Sequence, residues 1–282
     1  MIHFIINPKA KRGKIGKKVA VLEKLLHEKN IEYAIHYTTA KGVATSLARE
    51  FSDEPNSTVV AVGGDGTINE VLNGLNTQNA KFGIIPSGTG NDFINDVGDN
   101  GGMPLPLNEY LKNLPTVEVK GQTYRFLNCV GYGIDGYCCE VGDKQREQKP
   151  GKKINYTAIA IKGLLFHYKP TGATIIVDGK EHRFEKVWLA PATFGRCYGG
   201  GMYPTPGQTR EDDHLSVLVF HGSSKLKTLM IFPSIFKGEH IKYKKNITVL
   251  SGKEITVKYD SPRPVQVDGE TILEVSEIKA KR

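Results

Sequence analysis

The stretch VVAVGGDGTINEV at 59–71 constrains the fold of this chain more than any other segment. Its apolar start predicts a buried strand and the residues from Ile68 predict a helix, so the glycines lie in the turn between them. Adjacent glycines let a backbone approach a phosphoryl group closely, and a helix N-terminus offers N–H groups and partial positive charge. Asp65 is then suited to hold the Mg²⁺ of a nucleotide. The alternative is a plain turn in which Asp65 caps the helix.

The first part of the chain alternates between strand and helix patterns. In chain order, the predicted elements are 2–6, 15–26, 31–37, 41–51, 58–62, 67–75 and 82–85, starting with a strand. This order is typical of a parallel sheet with helices on its faces. Polar loops follow the strands at Asn7–Pro8, at Thr38–Thr39 and at the GGDGT turn. Because open parallel sheets bind ligands at the carboxyl ends of their strands, we expect these loops to meet at one crevice.

A second glycine-rich loop, PSGTGNDF at 86–93, follows the fourth predicted strand. Its glycines permit close approach, Thr89 offers a hydroxyl, and Asp92 brings a second carboxylate near a helix start. The two turns are therefore predicted to face a nucleotide phosphate together, and a helix-capping turn is the alternative. The basic residues after Asn7 either supply charge to the phosphates or form a solvated face; they are Lys9, Lys11, Arg12 and Lys14.

The charge balance favours an anionic partner. Lys and Arg total 38 against 30 acidic residues, and the net charge of +8 suits a nucleotide, a nucleic acid or an anionic membrane surface. The sequence has no helix-turn-helix, RNA-binding aromatic signature or zinc finger, so nucleic acid is not expected. The cysteines show neither zinc spacing nor a disulfide framework, which favours a cytoplasmic protein. No stretch approaches the roughly 18 apolar residues of a spanning helix.

After about residue 116 the pattern changes to short strands separated by turn signals. The predicted strands are 117–119, 124–128, 173–177, 187–193, 215–221, 247–250, 255–259 and 265–267. Two helical patterns, at 154–166 and 225–236, interrupt them. We therefore predict an α/β domain over 1–116 and a β-sandwich domain over 117–282, with final strands that are free to return to the first domain.

Together these motifs resemble the diacylglycerol kinase catalytic-domain family, specifically the soluble bacterial lipid kinases related to diacylglycerol, sphingosine and ceramide kinases. The resemblance covers nearly the whole chain and is carried by Asn7–Pro8, GGDGTINEV at 63–71, PSGTGNDF at 86–93 and VDGE at 267–270. GGDGT alone is shared with NAD kinases, but the full motifs favour the lipid kinases. The resemblance implies transfer of the γ-phosphate of ATP to a lipid hydroxyl, with diacylglycerol as the first candidate and phosphatidic acid as its product.

The resemblance also implies binding residues. Those for the nucleotide are Asn7, Pro8, Lys9, Lys11, Thr39, Gly63, Gly64, Asp65, Gly66, Thr67, Asn69, Glu70, Thr89, Asn91 and Asp92. Asp65 is implied to be linked to the catalytic Mg²⁺. Asp213, with the backbone carbonyls of Arg210 and Leu215, is similar to a second Mg²⁺ site of some bacterial members. The chain departs from that pattern at His214, where the family commonly has glycine.

Phosphoryl transfer also needs a group that accepts the proton of the acceptor hydroxyl. The resemblance implies that the late carboxylates Asp268 and Glu270 act on the acceptor alcohol. We interpret Glu270 as the base, with Asp268 alternating in that role or orienting the site. An ordinary acidic surface turn is the alternative for these residues, as it is for Glu211–Asp212–Asp213.

A candidate membrane contact lies at 225–237, where apolar residues are flanked by Lys225, Lys227 and Lys237. Basic residues beside an apolar face suit an anionic leaflet, so we expect peripheral binding at the inner face of the membrane. A core helix with solvated ends is the alternative. The sequence leaves a homodimer open.

Two other functions stay open from the sequence alone. One is an NAD kinase-like or other small-molecule kinase, and the other is a non-catalytic nucleotide binder. The chain lacks the Walker GxxxxGK[ST] motif and the protein-kinase signatures, which argues against those classes. Because acyl chains contact scattered apolar side chains, no motif identifies which lipid is phosphorylated.

Overall fold

The protein is described here by a computed structural model. The structure describes residues 1–10, 15–88, 90–98, 105–111, 114–149, 152 and 154–282, apart from the side chains of Glu109 and Tyr110. The chain divides into two compact units, Met1–Leu114 and Pro115–Arg282.

The first unit is a mainly parallel sheet with helices. Its strands are β1 (Ile2–Ile6), β2 (Tyr33–Tyr37), β3 (Thr58–Gly63), β4 (Lys81–Pro86) and β5 (Leu105–Pro106). Its helices are α1 (Gly16–Glu28), α2 (Val43–Ser52), α3 (Asp65–Gly74), α4 (Asp92–Val97) and α5 (Asn108–Leu111). The strand order is β2-β1-β3-β4-β5, with β5 antiparallel to β4 and the other pairs parallel. The predicted parallel sheet is confirmed.

The strand order reverses between β1 and β3, because the chain passes from β1 outward to β2 and then returns to the other side of β1. In open parallel sheets this switch point is where ligands bind, beyond the carboxyl ends of the strands. The N–H of Asn7, just after β1, donates to the carbonyl of Val62 in β3 at 3.0 Å. The loops after β1 and β3 therefore lie side by side at the switch point.

The second unit is built on an antiparallel sheet. Its strands are β6 (Thr116–Val119), β7 (Gln122–Arg125), β8 (Cys129–Tyr132), β9 (Thr171–Val177), β10 (Lys180–Val187), β11 (Ala192–Thr193), β12 (Leu215–Phe220), β13 (Ile247–Gly252), β14 (Glu254–Val267) and β15 (Glu270–Lys281). Its α-helices are α6 (Ile134–Gln148), α7 (Tyr156–Lys162) and α8 (Lys225–Ile231). A π-helix spans Gly163–His167, and 3₁₀ helices span Phe232–Lys237 and Glu239–Lys242.

Strand β14 connects the two parts of this sheet. Residues 255–259 of β14 pair with β9, residues 265–267 pair with β8, and the register shifts between Lys258 and Arg263. Strands that change partners at such an irregularity join the layers of a β-sandwich. The predicted fold class, an α/β domain followed by an antiparallel β domain, is confirmed. Strands β14 and β15 pair with β6, β8 and β9, all of the second unit.

Several elements differ from the predictions. The patterns at 255–259 and 265–267 form one strand, and the pattern at 187–193 contains the last residue of β10 and the short β11 as regular strand. Strands β8, β10 and β15 were not predicted. Neither was α6, a polar helix that contains two glycines: a Cβ on Gly136 would lie 1.9 Å from the carbonyl oxygen of Pro264, and one on Gly142 would lie 2.7 Å from the Tyr156 ring. Packing, rather than helix propensity, therefore explains these glycines.

Candidate functional site

The two glycine-rich loops of the first unit lie against each other. A Cβ built on Gly64 would lie 3.0 Å from the Cα of Gly88, and one built on Gly88 would lie 2.6 Å from the Cα of Gly64. The N–H of Ser87 donates to the carbonyl of Gly63 at 2.6 Å. The backbones approach so closely that a side chain at Gly64 or Gly88 would separate them.

Asp65 fastens the second loop to the first. Its carboxylate accepts the backbone N–H groups of Asn91 at 3.0 Å and Asp92 at 3.1 Å, the N-cap and first residue of α4. Asn91 adopts a positive φ of 51°, and its Oδ1 accepts the N–H of Gly88 at 2.9 Å. Asp65 is the first residue of α3, yet it caps the neighbouring helix α4.

Asn7 joins the loop after β1 to the start of α3. Its Nδ2 donates to Oγ1 of Thr67 at 3.2 Å, while its Oδ1 accepts the N–H of Lys9 at 3.0 Å. Thr67 packs over Gly63, where a Cβ would lie 2.5 Å from the Cβ of Thr67. The loops after β1, β3 and β4 are thereby brought together.

The other predicted nucleotide residues of the described part are more dispersed. Pro8 is half-buried and Lys9 exposed in the turn after β1, and Gly66 is half-buried in the first turn of α3. Thr39 is exposed in the loop after β2. The carbonyl of Glu70 accepts the Thr45 hydroxyl at 3.0 Å. The predicted residues Lys11 and Thr89, like Arg12 and Lys14, lie outside the described residues.

Two buried donors beside these loops have no hydrogen-bond partner within the described part of the chain. They are Nδ2 of Asn69 and the hydroxyl of Ser87. The N-cap of α3 is Gly64, which has no side chain to accept the first N–H groups of that helix. A ligand that brings acceptor oxygens to this corner would match these donors.

Sequence reasoning missed two residues that support the loops. The ammonium group of Lys18 donates to the carbonyl of Pro86 at 3.2 Å. Asn95 Nδ2 donates to the carbonyl of Gly90 at 2.9 Å. No sequence signal separates Lys18 from the other lysines of α1, because the contact depends on how the helix packs.

In the second unit, Asp268 and Gly269 form the two-residue turn between β14 and β15. Their φ angles are 45° and 95°, as in the type I′ turn that Asp-Gly favours. The buried Asp268 carboxylate accepts the N–H groups of Leu127, Asn128 at 2.9 Å and Cys129 at 3.1 Å. Burial raises the pKa of Asp268, and these N–H groups oppose the rise. The Asp268 oxygens are thus occupied within the fold.

Glu270 differs from Asp268, because it is the half-buried first residue of β15. It lies beside a polar cluster of α6, α7 and β15 that the sequence did not reveal. Arg146 pairs with Asp143 at 2.6 Å and donates to the Tyr156 hydroxyl at 3.0 Å, and Thr271 donates to Asp143 at 2.7 Å. Burial lowers the pKa of Arg146, but Tyr156, Asp143 and Glu270 together raise it above its ordinary value. Glu270 therefore adds to the negative charge around the Arg146 guanidinium.

The chain is similar to known proteins of one family. Residues 1–120 match the model described as "Diacylglycerol kinase catalytic domain", and residues 128–279 match the "YegS C-terminal NAD kinase beta sandwich-like domain". A Staphylococcus haemolyticus protein named "Putative lipid kinase" is 30% identical over 226 residues, which are 77% of this chain and 70% of that protein. The chain belongs to the diacylglycerol kinase catalytic-domain family.

Other members of this family are similar over nearly their whole length. A protein named diacylglycerol kinase from Bacillus subtilis is 27% identical over 283 residues, covering 95% of this chain and 88% of the relative. The crystal structure of a diacylglycerol kinase from Bacillus anthracis has a TM-score of 0.71 and 23% identity, covering 100% of this chain and 94% of that one. That structure shares the fold. The predicted resemblance is confirmed, and the chain is a kinase-family protein.

The family implies Mg²⁺, and the loops of the first unit offer a donor set that fits it. A Cβ on Gly90 would lie 2.8 Å from Oδ2 of Asp65 and 3.6 Å from Oδ2 of Asp92, so both carboxylates border the same small space. Within the described residues no group of three His, Cys, Asp or Glu side chains could hold a metal. Mg²⁺ in phosphotransferases is commonly held by one or two carboxylates with phosphate oxygens and water, which matches this pair.

The predicted second metal site fits less well. Oδ2 of Asp213 lies 3.0 Å from the ammonium group of Lys253, and its Oδ1 lies 3.7 Å from Nδ1 of His214. A hydrogen bond from Lys253 lowers the pKa of Asp213. The guanidinium of Arg210 points to the carbonyl of Leu127. In this arrangement Asp213 neutralises a lysine, so we assign no step to a metal there, and the second metal site stays a prediction.

Proposed function

We propose that the protein transfers the γ-phosphate of ATP to a lipid hydroxyl, with diacylglycerol as acceptor and phosphatidic acid as product. The observation that carries the proposal is the contact of the two glycine loops at Gly64 and Gly88, fastened by Asp65. Phosphoryl transfer depends mainly on positioning and charge neutralisation, which two loops held together in this way can supply. The names of the relatives, diacylglycerol kinase and lipid kinase, support the acceptor class.

The first unit supplies the groups that hold the phosphoryl donor. The close contact of Gly64 with Gly88 holds the two loops together, and the start of α3 offers N–H groups to phosphate oxygens. Asn7 keeps Thr67 and the first turn of α3 in position. Asp65 and Asp92 would hold Mg²⁺, which when bound neutralises the charge of the transferring phosphoryl group.

The second unit supplies the base. Glu270 accepts the proton of the acceptor hydroxyl, because its carboxylate is partly accessible at the start of β15. Asp268 is a positioning residue: with its oxygens bound to the N–H groups of 127–129, it holds the turn that carries Glu270.

The proposal is tested by incubating the protein with radiolabelled ATP, Mg²⁺ and single acceptors. The panel is diacylglycerol, phosphatidylglycerol, a sphingoid base, undecaprenol and NAD, with products separated by chromatography. We expect label in phosphatidic acid. Label in another lipid alone would support a lipid kinase activity and reject diacylglycerol as the acceptor. Label in NADP alone would favour the NAD kinase-like alternative, and ATP binding without transfer to any acceptor would favour a nucleotide binder.

A further inference from the structure

The most exposed large apolar side chains cluster in one region of the second unit. Among the described residues, the three with the largest exposed fractions are Leu226 at 78%, Phe166 at 72% and Met230 at 65%. Leu226 and Met230 lie on α8, and Phe166 lies on the π-helix. Single exposed apolar residues are common, but three such residues in neighbouring elements indicate an interaction surface.

Helix α8 has two different apolar faces. Thr228 and Ile231 are buried, and Ile231 belongs, with Ile235 of the following 3₁₀ helix, to the core around Trp188. Leu226 and Met230 are four residues apart, so they lie on one face of the helix, and both are exposed. The core therefore accounts for one face of α8 and leaves the other apolar face unexplained.

The π-helix lies next to α8. The ammonium group of Lys225 donates to the carbonyl of Leu165 at 2.9 Å, which joins the start of α8 to the middle of the π-helix. In the sequence, Phe166 directly follows Leu165, and Leu226 directly follows Lys225. The segments that carry the exposed phenyl ring and the exposed face of α8 are therefore near neighbours.

The charged residues of the two segments that form this region are all positive. No Asp or Glu occurs from 148 to 177 or from 214 to 238, whereas both segments contain lysines. Lys162 is exposed immediately before the π-helix, and Lys225 is exposed beside Leu226. Exposed apolar side chains in segments that contain lysines and no carboxylates are suited to a membrane leaflet. Its acyl chains accept the apolar side chains, and its anionic head groups attract the lysines.

We propose that Phe166, Leu226 and Met230, flanked by Lys162, Lys225 and Lys227, form a docking surface for the anionic leaflet of a membrane. No helix in the described ranges is long and apolar enough to cross a membrane. The three apolar side chains insert among the lipid head groups, and the lysines contact the anionic ones. The inference deepens the proposed function, because docking brings a lipid kinase to the layer that contains its acceptor.

Vesicle binding without ATP tests the docking surface independently of catalysis. We expect the full chain to sediment with phosphatidylglycerol-containing vesicles, and to bind less to pure phosphatidylcholine vesicles or at high salt. The triple variant Phe166→Ser, Leu226→Ser, Met230→Ser should lose vesicle affinity by about tenfold or more. Matched controls are Val21→Ser and Leu273→Ser, which alter side chains that are 61% and 48% exposed elsewhere. Thermal unfolding checks that each variant is folded.

Wild-type binding to none of the vesicles, unchanged binding of the triple variant, or an equal loss in both controls would overturn the docking surface. A change from dimer to monomer in the triple variant, with vesicle binding intact, would also overturn it and identify a contact between copies. Phosphorylation of a short-chain, water-soluble diacylglycerol separates the two proposals. If the triple variant retains this activity but no longer binds vesicles, the docking surface and the proposed function are both supported. If the wild type binds vesicles but phosphorylates no lipid, only the proposed function fails.

Discussion

Asp268 and Arg210 bind the same stretch of chain, residues 127–129, the first through its N–H groups and the second through its oxygen atoms. The carboxylate of Asp268 accepts the N–H groups of all three residues, while the guanidinium of Arg210 donates to the carbonyl of Leu127 and to Oδ1 of Asn128 at 2.8 Å. The stretch leads directly into β8, beside the second half of β14. Asp268 therefore determines the position of a strand, which separates its role from that of Glu270.

Replacing Asp268 by Asn should destabilise the protein. The amide has one acceptor oxygen, and its NH₂ group would face backbone donors in a buried site. We expect a loss of about 2–4 kcal/mol in the free energy of unfolding, measured by urea denaturation. Asp260→Asn is the control on the same strand, where the Asp260–Arg183 pair is exposed and its loss should cost about 1 kcal/mol or less. Similar losses for both variants would contradict the assignment.

Replacing Glu270 by Gln should strongly reduce turnover without unfolding the protein. A general base typically contributes 10²–10⁴-fold, so we expect kcat to fall by about that factor while the urea midpoint stays within error. Glu277→Gln, an equivalent change on the exposed side of the same strand, should retain activity. If Glu270→Gln keeps wild-type kcat on diacylglycerol, Glu270 is not the base.

A methyl group at Gly64 should separate the glycine loops. The backbone of Gly64 has φ −90° and ψ −175°, which alanine adopts readily, so among the described residues the obstacle to a methyl group is the contact with Gly88. We expect Gly64→Ala to weaken ATP binding by about tenfold or more, measured by calorimetry. Gly16→Ala is the control, because a Cβ there lies within 4 Å of none of the residues that the structure describes, and it should leave ATP affinity unchanged. Equal ATP affinity in wild type and Gly64→Ala would show that the contact between the glycine loops does not contribute to ATP binding.

Two substitutions of Asp65 should distinguish its structural and metal roles. Asp65→Asn keeps one oxygen for the N–H groups of Asn91 and Asp92, whereas Asp65→Ala removes both acceptors. We expect both variants to need higher Mg²⁺ for half-maximal turnover, and only the alanine variant to melt clearly earlier. Asp53→Asn, at an exposed site, is the control. An unchanged Mg²⁺ requirement in Asp65→Asn would mean that Asp65 does not hold Mg²⁺.

Acidification should destabilise the fold through its buried histidines. His240 is fully buried, and its Nε2–H donates to the carbonyl of Pro204 at 2.7 Å. Burial lowers the pKa of His240, so the unfolded chain binds a proton that the native state excludes. Stability from this group is present above the ordinary pKa of about 6.5 and is lost as the pH falls toward the lowered value.

We expect the urea midpoint to fall between about pH 7 and pH 5.5, and the fall to be smaller in His240→Gln. Burial lowers the pKa values of His36 and His221 as well, so the single variant should remove only part of the dependence. An identical pH dependence in wild type and His240→Gln would contradict this account.

The first unit was largely predictable because its signals are local. The pattern at 58–62 became β3 (Thr58–Gly63), and the helix predicted at 67–75 begins two residues earlier, at Asp65. In the second unit the predicted helix at 225–236 is interrupted at Phe232, and a 3₁₀ helix with Pro233 in its first turn continues to Lys237. Helix α6 had no apolar period to reveal it, because glycines place its backbone against neighbouring chain.

The family, the two glycine loops and the Asp-Gly hairpin follow from the sequence alone, since each depends on residues that are adjacent in the chain. Three features depend on the folded chain: Asp65 caps α4, Asp268 binds N–H groups about 140 residues earlier, and one face of α8 is exposed. Hydrogen-bond partners and burial are set by segments that meet in space, and no local pattern of residue types encodes which segments meet.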